Sequence, residues 1–530
     1  MTESERAVAR RTLLRTAAGI TAGTAMVGAL AGCSDDGDGS MGAGGDGKGG
    51  SSGPKRGGRL RAAFIGGSNE TADVIKAANT PIDYVRARVV YDELCVIGPD
   101  GGVQMQLAES IEPNTDGTEW TIRVRDGVRF SNGRKVGIDD VLYTLSTQIK
   151  QQANTAPLLV DVDIANARRK DSRTAVLPMK RPHGFLDLVF TQGVFVFPED
   201  TKNFEKAPGS GPFLLENHRV GQGALLKRNP DYWSDKGPFL DELELLSIAD
   251  GEARLNALKA GQVDYAASIS LVAGRAERQN GQIQLLTPPK WEWPNFGAML
   301  KRNQAPFKDA RVVEALKYAV DREEMVKRVT LGFGELGNDL FGKHLPYYAE
   351  DLPQREYDPE RAKKLLKDAG AEDLSLTIRT SDYEYGLTEG AVVLADQVKK
   401  AGVKIKLDKV PTGDFFADPK VFIGAHFQSA NRKPRPLPLD VLFFYGSEAL
   451  LPFTGLAGGK IDLLVDRVRS AVADERRRSS LSDIQHYLYD EGGDMVWAKA
   501  PVLAAATPKV HDVKSLGYPT FPSFRDAYLA

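Results

Sequence analysis

The chain has 530 residues, 42% of them hydrophobic and 26% charged, with 69 Lys and Arg facing 71 Asp and Glu. So even a balance excludes the basic footprint of a nucleic-acid binder, and two cysteines exclude a disulfide framework. A body this long outgrows one hydrophobic core, so two or three domains are expected.

The N-terminal segment reads as an export signal. Arg10-Arg11 are followed by a weakly apolar run, Thr16 to Leu30, that closes on Leu30-Ala31-Gly32-Cys33. A twin arginine, a short apolar stretch and small residues before a cleavage point form that signal in order. Fifteen residues from Thr16 to Leu30 fall short of the roughly 20 that span a bilayer core. The last four resemble a lipobox, which makes Cys33 the lipidated residue and the mature N-terminus. Two acyl chains hold a protein stably at a membrane, so the lipid is the expected membrane contact. Leu13 stands where Phe is commoner in twin-arginine leaders, which leaves the export route open.

Without residues 1–32, which carry four Arg and two Glu, 65 basic residues face 69 acidic ones. From Ser34 to Gly58 the chain is Gly, Ser and Asp without periodic apolar positions, the composition of a disordered linker spanning about 27 Å. Ser52-Gly53-Pro54-Lys55 matches an S-x-x-K pattern inside that linker, where nothing would position it. Cys95, in Leu94-Cys95-Val96-Ile97, is expected to be a small buried hydrophobe.

Strand and helix patterns then alternate. Trp120, Ile122 and Val124 alternate with polar residues as in a half-buried strand, and Asp126-Gly127 predicts a hairpin turn before Val128-Arg129-Phe130. A helix is expected from Ile138, with Asp139 and Asp140 in its first turn and Val141, Leu142, Leu145 and Ile149 on one face. Asp321 and Glu324 predict a capping box. Asp358-Pro359 predicts an N-cap with Pro at N1, for a helix buried through Ala362, Leu365, Leu366 and Ala369 and ended by Gly370. A further helix carries Val392, Val393, Ala395 and Val398, closes at Ala401-Gly402 and feeds the strand Val403, Ile405, Leu407. This is an α/β pattern with mixed sheets and no internal repeat.

Catalytic and metal motifs are missing. The six histidines (His183, His218, His344, His426, His486, His511) include no i, i+4 pair, so no metal site made by the protein is expected and no cofactor is implied. Gly209-Ser210-Gly211-Pro212 reads as a tight turn, and no nucleophile elbow or phosphate loop occurs.

Four segments, in order, resemble the extracellular solute-binding proteins of family 5, the oligopeptide, dipeptide and nickel type. The first runs Tyr91-Asp92-Glu93-Leu94, Leu107-Ala108-Glu109-Ser110, Val124-Arg125-Asp126-Gly127-Val128-Arg129-Phe130 and Ile138-Asp139-Asp140-Val141. The second is Gly209-Ser210-Gly211-Pro212-Phe213 with Arg228-Asn229-Pro230-Asp231-Tyr232-Trp233. The third is Pro306-Phe307-Lys308-Asp309-Ala310-Arg311-Val312 with Ala319-Val320-Asp321-Arg322-Glu323; the fourth is Asp358-Pro359-Glu360-Arg361-Ala362-Lys363-Lys364-Leu365-Leu366 with Ala369-Gly370.

The resemblance implies a bilobal fold of the periplasmic-binding-protein type II class in three discontinuous domains. Domain I would hold 58–92, 208–288 and 498–530, domain II 93–207, and domain III 289–497. It also implies a monomeric, non-catalytic receptor that encloses a solute by hinge closure, a peptide being bound along its backbone, and delivers it to the permease subunits of an ABC importer.

Peptide binders of this family use a segment resembling W-x-x-D-x-x-x-P to hold the peptide amine. The matching stretch here is Phe427-Gln428-Ser429-Ala430-Asn431-Arg432-Lys433-Pro434-Arg435-Pro436, with Ala430 or Asn431 where the acid is expected. An amide cannot pair an ammonium with full charge, whereas Arg432, Lys433 and Arg435 suit a carboxylate or phosphate, with Asp440 near enough to neutralise part of that charge. Phe427, Gln428, Asn431, Arg432 and Arg435 are therefore candidate contacts. Trp291 and Trp293, beside the expected interdomain crossover, and Asn79 and Thr80 on an early loop complete the set. The favoured function is a lipid-anchored receptor for peptides or peptide-like solutes. The alternatives are a secreted hydrolase, or a sensory receptor on the same scaffold.

Overall fold

A computed structural model describes residues 54–75, 80–153, 155–515 and 521–530; Cys33, the leader, nearly all of the linker and Asn79 lie outside the described residues. In the body, Gly53–Ala530, the apolar runs build three sizeable sheets. Seven strands make the first, ordered Gln284–Leu286, Leu503–Ala506, Tyr265–Ile269, Arg59–Phe64, Glu242–Ser247, Gly223–Arg228, Phe213–Arg219. Arg59–Phe64 runs parallel to both neighbours while the outer pairs are antiparallel. Its Leu60, Ala62 and Phe64 enter one apolar cluster and Ala63 another, as expected of a central strand covered on both faces.

The second sheet has six strands, ordered Glu335–Leu336, Asp494–Lys499, Asn295–Leu300, Phe427–Arg432, Ser375–Thr380, Lys404–Lys409. The third is antiparallel, Ala108–Pro113, Glu119–Val124, Thr174–Pro178 and Arg168–Arg169. The chain leaves the first sheet after the helix Pro81–Val90, builds the third, and returns at Phe213. It leaves again through 287–294, builds the second, and returns through 500–502. These two crossovers are tied together: the Ala500 amide donates to the Pro294 carbonyl at 3.2 Å, and Lys499 Nζ to the Lys290 carbonyl at 3.2 Å.

Local signals became the expected elements. Asp358 accepts from the Arg361 amide and caps Pro359–Asp368, with Ala362 and Leu366 buried. Asp321 caps Arg322–Arg328 through the Glu324 amide. The reciprocal half of that box is replaced: Gln397 bonds the Asp321 amide with its oxygen and the Glu324 carboxylate with its nitrogen. Glu119–Val124 buries Trp120, Ile122 and Val124, and the indole donates to the His183 carbonyl at 2.8 Å. Cys95 is a buried free thiol whose pKa burial pushes up.

Three expectations change. Asp126-Gly127 bends the chain, with Gly127 at φ +81°, but makes no hairpin: Glu119–Val124 pairs with 108–113 and 174–178, and Arg129 bridges only to Lys135. Residues 209–212 are not a tight turn; they pass against the end of Pro81–Val90, where a Cβ on Gly209 would lie 1.9 Å from the Val90 carbonyl oxygen. Val392 faces solvent while Val393 is buried, because the helix Leu387–Gln397 buries its other side. No helix among the described residues is long and apolar enough to cross a membrane.

Candidate ligand cleft

A cavity of about 510 Å³ lies where the three sheets' flanking segments converge. Thr80, Pro81 and Tyr84 enter from the start of the helix Pro81–Val90; Gln148, Gln192 and Phe195 come from the segment that carries the third sheet. Tyr383, Lys433, Arg435 and Phe443 come from the second-sheet segment, and Phe521 from the C-terminal stretch. The size suits a small solute, and aromatic walls with few polar groups are the usual make-up of such a site. Two cations and no carboxylate occur among the described residues that line it. Lys433 Nζ is 3.9 Å from the Glu384 carboxylate, and the Arg435 guanidinium lies 4.0 Å from the Phe443 ring centre.

The proline-rich stretch sorts these cations. The strand Phe427–Arg432 ends before Pro434, and the helix Leu437–Phe444 starts after Pro436 with Pro438 in its first turn. Arg432, the last strand residue, points inward. It bonds Asp440 at 2.5 Å, lies 3.6 Å from Asp494, and is sandwiched between Phe341 and Phe444 at 3.3 and 3.7 Å from their ring centres. Lys433 and Arg435 are left at the cavity wall.

Thr80, Arg435 and Lys433 therefore meet at the cavity; the remaining described candidates do not line it. Phe427 is buried in the core beneath the second sheet, and Gln428 donates to the Phe422 carbonyl at 2.9 Å. Asn431 is half-buried in the same strand, paired opposite Phe296. Arg432 is a correction, since its charge is spent on Asp440 and Asp494. Trp291 and Trp293 are corrections too: both are buried, donating to the carbonyls of Pro99 at 2.9 Å and Pro288 at 3.0 Å. Gln148, Gln192, Tyr383, Phe443 and Phe521 belong to no motif, so no local signal marked them.

Beside the cavity the third-sheet and second-sheet segments touch directly. Arg181 bonds Asp161 at 2.7 Å and Glu448 at 2.5 Å, and Arg469 reaches Glu448 at 3.2 Å. Backbone joins in, the Gly184 amide donating to the Arg469 carbonyl at 2.7 Å. His183, buried in this contact near Arg181 and Arg469, has its pKa lowered by burial to about 4.

The model for bacterial extracellular solute-binding proteins, family 5, matches residues 102–433. The chain belongs to that family. It is 26% identical over 388 residues to the oligopeptide-binding protein AppA of Bacillus subtilis, covering 67% of this chain and 69% of AppA. It is 24% identical over 360 residues to the glutathione-binding protein GsiB of Salmonella typhimurium, covering 66% of this chain and 70% of GsiB. The structure of Bacillus subtilis AppA in complex with a nonapeptide superposes with a TM-score of 0.71 at 20% identity, over 90% of this chain and 100% of that one. This family 5 protein is thus an extracytoplasmic solute-binding receptor and not an enzyme, which removes the hydrolase alternative.

The family-like segments of the sequence meet away from the cavity. Asp92 is fully buried and accepts from Gln106 at 2.9 Å, Trp233 at 3.1 Å and Tyr232 at 3.3 Å, while the Asp92 amide donates to Ser210. Burial raises its pKa to about 6 against the pull of those donors. Asn229 closes the group by donating to the Gly211 carbonyl at 2.9 Å. These residues fix the first two segments together; none of them lines the cavity.

Proposed function

We propose that this protein is a lipid-anchored receptor that captures a small peptide-like solute bearing a carboxylate and delivers it to an ABC importer. The observation that carries the solute class is the cavity wall, where Lys433, 3.9 Å from Glu384, and Arg435 stand with no carboxylate among the described lining residues. Paired donors on a guanidinium suit a carboxylate, and Thr80, Gln148 and Gln192 can bond peptide-like amides. AppA and GsiB, named for binding oligopeptide and glutathione, are consistent with such a solute. In this reading Ala430 or Asn431 stands where amine-binding relatives are expected to carry the acid, so the free amine is not the anchor.

Capture works by closure. The three sheets are the cores of three domains, 58–92 with 208–288 and 498–530, then 93–207, then 289–497. Rotation about the two cross-tied crossovers separates the lobes, and the Arg181–Glu448–Arg469 contact re-forms when they close over the solute. The leader supplies export, and Cys33 the acyl anchor that keeps the receptor monomer beside its permease.

Native mass spectrometry of the protein purified from its own host should show a retained small solute that carries a carboxylate. A retained cationic or purely apolar ligand would overturn the solute class. Labelling cells with palmitate should mark the wild type and leave Cys33→Ala unmarked; an unmarked wild type refutes the anchor. Loss of solute uptake on deleting the gene supports import, whereas intact uptake with a changed transcriptional response would favour sensing.

A further inference from the structure

The absence of metal motifs in the sequence does not survive folding, because the fold gathers ligands that lie far apart in the chain. Glu70, Asp83 and His218 bring one ligand atom each to within 4.8 Å of one another. His218 Nε2 is 4.0 Å from Glu70 Oε2, with side-chain exposures of 1% and 0%, and Asp83 is fully buried. One atom of each group, Glu70 Oε2, Asp83 Oδ2 and His218 Nε2, is buried without a hydrogen-bond partner. Buried carboxylate oxygens left that way are costly, and native proteins rarely keep them without an ion or water.

Every other polar atom of the three groups is held in place. Glu70 Oε1 accepts from the Gly67 amide at 2.8 Å, in a turn so close-packed that a Cβ on Gly66 would lie 2.2 Å from that same oxygen. Asp83 Oδ1 accepts from the Thr71 amide at 3.2 Å and from Arg86 at 2.5 Å. His218 Nδ1 is 2.9 Å from the Glu205 carboxylate, which can only accept, so in the neutral ring Nδ1 carries the proton and Nε2 the lone pair. A carboxylate behind an imidazole is how metal-binding histidines are oriented and made more basic.

We propose that Glu70, Asp83 and His218 bind a first-row divalent metal ion, zinc being the reference ion. The 4.0 Å between His218 Nε2 and Glu70 Oε2 is too long for a hydrogen bond and about 0.6 Å wider than the roughly 3.4 Å between two ligands of a tetrahedral zinc, so small side-chain movements would draw them onto an ion. One imidazole and two carboxylates favour zinc and its transition-metal neighbours over calcium or magnesium, which prefer all-oxygen shells. Arg86 offsets part of the charge from the opposite oxygen of Asp83. The ion would clip three elements together: the loop after Arg59–Phe64, the first turn of Pro81–Val90 and the edge strand Phe213–Arg219. Val74, Ile75, Thr80 and Pro81, on the loop and helix so clipped, line the cavity, so the ion would stiffen one wall of the cleft. This site stands on its own geometry, whatever solute the cleft takes.

The full chain, purified without a histidine tag and stripped by chelator dialysis, is titrated with zinc chloride by calorimetry and metal analysis. One zinc per chain is expected, and a hundredfold excess over the dissociation constant should raise the melting temperature of the unit that holds the site by about 5–10 °C. His218→Ala and Glu70→Gln should each weaken zinc binding at least about tenfold, while His344→Ala, at a histidine outside the cluster, should leave it unchanged. Cobalt replaces zinc as a spectroscopic check on the wild type alone: a visible band stronger than that of aqueous cobalt is expected. Failure of the wild type to bind zinc stoichiometrically, an aqueous cobalt spectrum, or undiminished binding by folded His218→Ala would each overturn the site.

Discussion

Arg432 and Arg435 lie three positions apart in one basic stretch, yet removing them should have opposite consequences. Arg432 is enclosed by Phe341 and Phe444 and is the cation shared by Asp440, at 2.5 Å, and Asp494, at 3.6 Å. Arg432→Ala leaves two buried carboxylates without that counter-charge, of which Asp494 keeps only the Tyr445 hydroxyl, at 2.6 Å, and the more distant Lys317. Breaking a buried pair in this way costs about 3–5 kcal/mol. For a unit of 150–250 residues, the size of the segment around the second sheet, that is roughly 10 °C in melting temperature.

Burial already raises the Asp494 pKa and Arg432 holds it down, so the variant's carboxyl should protonate at higher pH. The loss should therefore be largest at neutral pH and shrink as the pH falls through the carboxyl range. Arg435→Ala should instead keep its melting temperature within a degree or two and lose about tenfold or more in affinity for the copurifying solute, as expected for a charged hydrogen bond. Differential scanning calorimetry and isothermal titration calorimetry read the two effects. If Arg432→Ala melts with the wild type, or Arg435→Ala binds solute normally, the assignment of the two arginines is wrong.

Three further outcomes follow from the geometry. His183 keeps its pKa near 4 while folded and regains about 6.5 when unfolded, so the unfolded chain holds more protons between those values. Stability should fall by up to about 3 kcal/mol as the pH drops across that window, and denaturant titrations of His183→Gln should show that slope reduced. Glu448→Ala removes the carboxylate shared by Arg181 and Arg469; it should speed solute release several-fold with little change in association rate, measured by stopped flow. Gly209→Ala would drive a Cβ into the Val90 carbonyl and should destabilise by about 1–3 kcal/mol in urea unfolding; an unchanged midpoint would contradict the close approach.

Legibility in the sequence tracked the range of the interaction. Asp358-Pro359, the Asp321 cap and the alternation around Trp120 are settled within a few residues and became the expected elements, whereas Gln397, 76 positions from Asp321, took over the other half of the expected capping box. Asp126-Gly127 carried a true bend, but the partners of Glu119–Val124 lie at 108–113 and 174–178, and only sheet register selects them. Arg432 looked like Lys433 and Arg435 because Asp494, which helps neutralise it, lies 62 positions later in the chain, on a strand two places over in the same sheet. The same distance hid Glu70, Asp83 and His218, since metal spacing rules read helix faces and tight loops, not a loop, a helix start and an edge strand.

The separation between scaffold and cleft explains why the family was readable and the ligand was not. Asp92, Ser210, Asn229, Tyr232 and Trp233 sit in segments resembling the family, and they bond to one another or to the backbone next to them. Their chemistry is fully used inside the fold, so any solute is compatible with them. The cavity wall is assembled from segments around Thr80, Gln148, Gln192, Tyr383, Lys433 and Phe521, each supplying one or two side chains. Changing the charge of Lys433 or Arg435 alters what the wall attracts without touching the Asp92 network. On this architecture specificity can shift by one or two substitutions while the scaffold stays fixed, which fits relatives at similar identity named for an oligopeptide and for glutathione.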